Sequence, residues 1–274
     1  MNFLTNRSLR SLLILSLTIT MDCKAQFIRV VDAYEALFSN EPSATQSQSV
    51  FGDLLSDELP SATSADIASI QAVLHKSLVS EKSVARGRGL QFFYVINATK
   101  PDSAAIQEPY IQDLARMLDE PDVPLRTGAI YAMINSSPQP SPKALAVLRM
   151  HFNDGTNTGE QFSLIAVGLL KAFPSDATLL QSVLEGFGRY PDQRVGLEAG
   201  MMQFLGLRKI TNNVALNLIR RGFADPSTRL VAIESVERMP KEIRDTFVSE
   251  LKKVSDDPDA EPSIRTAASN VLMK

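Results

Sequence analysis

The stretch Asp225-Pro226-Ser227-Thr228-Arg229-Leu230-Val231-Ala232 reads as the end of one helix, a turn and the start of another. Pro226 suits the turn because its ring fixes φ and it has no N–H to satisfy. Ser227 offers a side-chain oxygen to an unpaired N–H of the following first turn, so it is the expected N-cap. After the turn, Leu230, Ala232, Ile233, Val236 and Met239 return at helical spacing. Before it, Val214, Leu216, Leu218, Ile219 and Phe223 do the same. Neither helix can bury its apolar stripe alone, so the pair needs neighbours of its own kind.

Those neighbours are present in the chain. Pro124-Leu125-Arg126-Thr127-Gly128-Ala129 and Pro262-Ser263-Ile264-Arg265-Thr266-Ala267-Ala268 repeat the phrase. Taking the Arg as anchor, copies stand at Arg86, Arg126, Arg194, Arg229 and Arg265, with a degenerate one at Gln161, in steps of 33 to 40 residues. The steps are too irregular for a coiled coil and match the length of a two-helix repeat. The pairs read as Ala65–Val79 with Val84–Ile96, Ala104–Leu118 with Leu125–Ile134, Pro142–Phe152 with Glu160–Phe173, Ala177–Phe187 with Gln193–Leu207, and Glu242–Val254 with Ser263–Met273, besides the quoted one. Gln91–Ile96 has strand propensity, but its place after Arg86 argues for a second helix. The expected fold is all-α, a right-handed α-solenoid of about six helix pairs over residues 65–274. Residues 26–64 are expected to form an N-terminal cap and linker, because a solenoid has to cover its exposed end.

The first 25 residues read as a cleavable signal peptide. Arg7 and Arg10 precede a short apolar run from Ser11 to Thr20, and Cys23-Lys24-Ala25 places small residues at the −3 and −1 positions. The run is too short to span a bilayer comfortably, so the chain is expected to be exported, to the periplasm or beyond, without a stable membrane span. Cys23 is the single cysteine. Asp22 beside it argues against a lipid-modified Cys. Cleavage after Ala25 would leave a chain without cysteine and take the net charge from −3 to −5.

The charge balance speaks against nucleic acid as a partner. Basic residues occur only as short pairs such as Arg220-Arg221 and Lys252-Lys253, and Trp is absent, so neither a phosphate-binding patch nor a stacking platform is in evidence. Catalytic constellations are scarce. His75 and His151 stand in no metal-binding spacing, so no metal or cofactor is expected. Asp256-Asp257-Pro258-Asp259-Ala260-Glu261 lacks the Gly and the spaced Glu of a calcium loop and reads as a solvated turn. Gly186, Gly188, Gly196, Gly200 and Gly206 form no phosphate loop and read as sites of close helix approach. Asn97-Ala98-Thr99 and Asn135-Ser136-Ser137 match the glycosylation sequon, a match common by chance.

Through Asp225, Pro226, Arg229, Ala232 and Val236, and again through Pro124, Leu125, Arg126, Ala129, Ala132 and Met133, the chain resembles the HEAT-repeat family. The likeness extends to its shorter bacterial relatives of the phycobilisome-lyase type. It covers roughly residues 60 to 274. It implies that second helices line a concave face, and that a turn Asp and the repeat Arg form a ladder between neighbours. That ladder role falls on Asp225 and Arg229 and extends to Arg126, Arg194 and Arg265, with a break at Gln161. The repeated His-Glu pairs of hydroxylases built on this fold are absent, as is the basic groove of glycosylases built on similar repeats.

Counted from each anchor, positions +3, +6, +7 and +10 are apolar or small and should face inward. Positions +5 and +8 or +9 should face outward. They read Gln91 and Tyr94, Tyr131 and Asn135, Met202 and Gln203, and Glu234 and Arg238. This mixture of aromatic, amide and charged groups suits a protein or peptide partner. The expected function is that of a monomeric, non-catalytic, exported binding scaffold. The alternative is an enzyme, or an accessory factor for one, with a site converging from several repeats.

Overall fold

A computed structural model of the protein describes residues 63–99, 108–134 and 140–274. The expected signal peptide with Cys23, and the expected cap up to residue 62, lie outside the described residues. All regular structure among the described residues is helical. The chain divides into two compact units between residues 113 and 114.

In the first unit, α1 (Ser64–Leu78) opens on a capping box in which Thr63 and Asp66 bond each other's backbone N–H groups. It packs on α2 (Ser83–Thr99), which is helical through the stretch with strand propensity. Ile70, Leu74 and Leu78 of α1 are buried with Leu90 and Phe93 of α2. Phe93 meets Tyr110 edge-on at 6.2 Å. Tyr110 ends a short 3-10 turn, Glu108–Tyr110, that leads into α3 (Ile111–Met117).

The second unit repeats the pair. Its second helices are α4 (Val123–Ile134), α6 (Gly159–Ala172), α8 (Arg194–Arg208), α10 (Arg229–Glu237) and α13 (Pro262–Leu272). Between them run the first helices α5 (Pro142–His151), α7 (Ala177–Gly186), α9 (Asn213–Ala224), the single turn α11 (Lys241–Arg244) and α12 (Val248–Ser255). The second helices touch in chain order, α4 to α6 to α8 to α10 to α13, and α7, α9 and α12 do so beside them. Two layers of helices therefore share one core, as stacked amphipathic pairs must. Phe162 anchors it, stacked on Phe152 at 5.0 Å and edge-on to Phe187 at 5.8 Å.

Two of the interfaces between second helices carry buried polar links of different kinds. Gln161, fully buried, donates from Nε2 to the Val123 carbonyl and the Thr127 hydroxyl of α4. Ser235 of α10, also fully buried, has two carbonyls within reach of its single hydroxyl proton, Met202 of α8 at 2.9 Å and Val231 of its own helix at 2.7 Å. Gly206 makes that approach possible. A Cβ there would stand 2.8 Å from the Ser235 Cα, so α8 and α10 meet backbone to backbone.

The repeat Arg has a local task that the ladder does not describe. Arg86 donates to the Ser80 carbonyl at 2.6 Å, Arg126 to the Glu120 carbonyl at 2.9 Å and Arg229 to the Phe223 carbonyl at 3.0 Å. In each case the acceptor lies six residues back, at or just past the end of the first helix, where carbonyls lack helical partners. The Arg clamps the turn inside its own pair. Arg229 also reaches Asp257 of the next pair at 3.3 Å, a rung of the expected kind. Asp225 takes no part in such a rung: its carboxylate accepts from the Ser227 hydroxyl and amide instead. Arg194 pairs with Glu198 in its own helix, and Arg265 makes no ion pair among the described residues. Ser227 is thereby spent on Asp225, and Thr228, not Ser227, is the N-cap of α10, without a side-chain cap bond.

Replacing Arg229 with Met removes bonds to a helix-end carbonyl and to Asp257. Urea unfolding should show a loss of about 1–3 kcal/mol. Arg194→Met gives up only a half-exposed pair within one helix and should cost under about 0.5 kcal/mol. Equal losses would show that the clamp contributes nothing.

Candidate functional site

The outward surface of the second helices is built by the same periodicity that buries their inner faces. On α10 the row is Leu230, Glu234 and Arg238, at i, i+4 and i+8, with Glu234 and Arg238 3.9 Å apart. On α8 it is Gly196, Gly200, Gln203 and Leu207, all exposed, with Leu207 at 65 %. On α6 the half-buried Leu164 and Val167 occupy the equivalent face. On α4 it is Tyr131, 37 % exposed. Gln91 is exposed on α2 in the other unit. Gln203, Glu234, Arg238, Tyr131 and Gln91 thus lie at the surface as expected. The side chain of Tyr94, and Asn135, lie outside the described residues.

Met202 does not belong to this surface. It is 1 % exposed, its sulfur lies against Gly222 of α9, and its carbonyl holds Ser235. The cause is register. In α10 the buried residues are Ala232, Ile233, Ser235 and Val236, which stand at +3, +4, +6 and +7 from Arg229. In α8 buried Met201 and Met202 stand at +6 and +7 only if Val195 is the anchor, and in α6 the same holds for Phe162. Arg194 and Gln161 are each one residue early. One residue turns a helix by 100°, enough to carry Met202 from the rim to the core.

The two exposed glycines also correct their first reading. At Gly196 and Gly200 no heavy atom lies within 4 Å of where a Cβ would stand, so no helix approaches them. Of the five glycines read as close-approach sites, Gly206 and Gly186 do that work, Gly186 against the ring of Phe162, and Gly188 is open as well. Two open glycines in a helix interior each cost about 1 kcal/mol relative to Ala. They leave a bare strip of backbone between Gln203 and Leu207 on one side and the start of α8 on the other. The i, i+4 spacing of the glycines with Gln203 and Leu207 was visible in the sequence, but its direction was not until Val195 set the register.

Charge sits at the ends of the helices and away from this strip. In the turns, Asp154 and Asp225 are held below the ordinary carboxylate range, Asp154 chiefly by the Thr156 amide and Asp225 chiefly by the Ser227 hydroxyl. At the other end, the Lys171 ammonium donates to the Ile134 carbonyl, and burial followed by repulsion from Arg208 pushes its pKa down.

The two histidines are held by carboxylates. His151 lies 3.7 Å from Asp154. His75 Nδ1 lies 2.8 Å from the buried carboxylate of Asp113 in the first unit. Close by, burial and then the Asp113 charge raise the Tyr110 phenol well above its usual value. This is a His positioned by a carboxylate. Among the described residues no group of three or more His, Cys, Asp or Glu side chains is arranged to hold a metal ion. No described helix is long and apolar enough to cross a membrane.

No family model matches the chain, and no curated protein does. Among solved structures it is similar to a computationally designed armadillo repeat protein for modular peptide recognition. It is likewise similar to the designed armadillo repeat protein YIII(Dq)4CqI. Each is 13 % identical, with a TM-score of 0.36, covering 90 % of this chain and 98 % of the other.

Of the five tyrosines, Tyr110 and Tyr190 are both shielded, chiefly by burial, and should ionise later than an ordinary phenol in an ultraviolet titration. A folded phenol with a raised pKa holds its proton where the unfolded one loses it. Its contribution to stability is complete below pH about 10 and falls as pH rises beyond that. Tyr110→Phe should remove one late-titrating phenol and flatten the alkaline loss of stability. An unchanged titration would show that Tyr110 is accessible to solvent.

Proposed function

We propose that the protein is a non-catalytic helical-repeat scaffold of HEAT-like type that binds an extended peptide or protein segment across its second helices. The observation that carries this reading is the surface of α4 to α10. It exposes Tyr131, Leu207 and Leu230 with the amide of Gln203, around the open backbone of Gly196 and Gly200. Exposed apolar groups interleaved with amides suit a partner that brings its own side chains and main chain. A bare helix surface lets a partner's main chain come closer than any larger side chain would allow. Glu234 and Arg238, opposite in sign on one row, would fix the direction of such a segment. With its first 25 residues read as a cleaved leader, the scaffold acts outside the cytoplasm, as a monomer.

A photo-crosslinking residue at Gln203 should capture a defined partner from the native envelope fraction, and the same residue at Ser249 on α12 should not. Leu207→Asp should weaken that capture at least tenfold with an unchanged unfolding midpoint, as loss of an anchor does, and Tyr131→Ala should weaken it as well. Gly200→Ala should raise stability by about 0.5–1 kcal/mol and still weaken capture. Capture that is equal from both positions, or indifferent to all three substitutions, would remove the second-helix face as the site.

A further inference from the structure

A separate cleft of about 420 Å³ opens between α7 and α9 at the start of α8. Its volume falls in the range of small-ligand sites. Its apolar lining is aliphatic, formed by Leu184, Val214 and Leu218. Its two walls differ in polarity. On the α8 and α9 side, Arg194 and Arg221 both turn to a single oxygen of Glu198, at 3.0 and 3.8 Å. Two guanidiniums thus share one carboxylate, and most of their ten N–H donors stay open to the cleft or to water. Asn217 beside them accepts from Arg220 through its oxygen, which leaves its amide hydrogens to give. On the α7 side the order is reversed. Gln181 donates to Glu185, so the wall offers the Gln181 carbonyl oxygen and the remaining acceptor sites of Glu185.

From this arrangement we infer that the cleft binds the C-terminal residue of a peptide, an aliphatic side chain carrying a free α-carboxylate. The carboxylate meets Arg221, Arg194 and the Asn217 amide, since paired guanidiniums match its two oxygens. The side chain fills the aliphatic floor. The peptide N–H groups upstream face the acceptors of Gln181 and Glu185. Polyanions fit poorly, because Glu185 repels a second negative charge, and a cationic side chain would meet Arg194 and Arg221. The cleft lies between the first helices α7 and α9, with Arg194 at the start of α8, and is distinct from the outward face that carries Gly196, Gly200, Gln203 and Leu207.

Calorimetric titration of the full mature chain with acetyl-Ala-Ala-Leu tests the inference. The free acid should bind saturably, and its C-terminal amide at least tenfold more weakly. Arg221→Gln changes an exposed side chain and should weaken the free acid about tenfold or more, the effect of losing a charge-assisted bond. Asn217→Asp, nearly isosteric, should do the same by setting a negative charge against the carboxylate. The unfolding midpoints of both variants report whether the fold is intact. Absence of saturable binding at millimolar peptide, equal binding of acid and amide, or binding indifferent to both substitutions would overturn the assignment. So would equally tight binding of an amidated peptide whose only carboxylate is an internal glutamate.

Discussion

The second helices have to satisfy one another's buried polar groups, and the rest of the structure follows from that. Gln161 and Ser235 are fully enclosed, and an enclosed amide or hydroxyl without a partner is expensive. Gln161 finds its acceptors in the preceding repeat, the Val123 carbonyl and Thr127 hydroxyl, and Ser235 lies between the Met202 carbonyl of the preceding repeat and the Val231 carbonyl of its own helix. Apolar stripes can slide past each other at little cost. These bonds cannot, so they fix where each helix sits along its neighbour. Gly206 completes the fit by removing the one side chain that would hold α8 and α10 apart.

Fixing the inner faces also fixes the outer ones. Once Met201, Met202 and Leu205 of α8 point inward, Gly196, Gly200, Gln203 and Leu207 have to point outward, since the helix offers no other side. The same logic drives charge to the ends of the pairs, where helix-end carbonyls take up Arg86, Arg126 and Arg229, and to the seam between α9 and the start of α8, where Arg221, Arg194 and Glu198 gather. The middle of the second-helix surface is left with few ionic groups. A scaffold of this kind separates its tasks: helix ends hold the turns, inner faces hold the stack, and outer faces are free to vary.

Much of this could be read before any coordinates were known. The helix pairs and their order follow from Pro, Asp and the return of apolar residues every three to four positions; the start expected at Ala104 lies outside the described residues, and the helix expected over Glu242–Val254 is interrupted by a 3-10 turn at Asp245–Phe247. The inward set Ala129, Ala132, Met133, Ala232, Ser235, Val236 and Met239 is buried as its spacing requires. The surface was legible in part. Tyr131, Gln203, Glu234 and Arg238 were found, Met202 was misplaced, and Gly196 and Gly200 were given the task that belongs to Gly206.

The sequence determined by itself that the chain folds as stacked helix pairs, because amphipathic period and turn chemistry are local properties. The tertiary structure alone decided what Arg194 and Gln161 do. An Arg that clamps its turn and an Arg one residue early look the same along the chain. A step of one residue is a rotation of 100°, and only the neighbouring helix, by what it buries, registers the difference. The cleft between α7 and α9 was likewise out of reach, since Gln181, Arg194 and Arg221 are far apart in sequence and meet only when their helices stack.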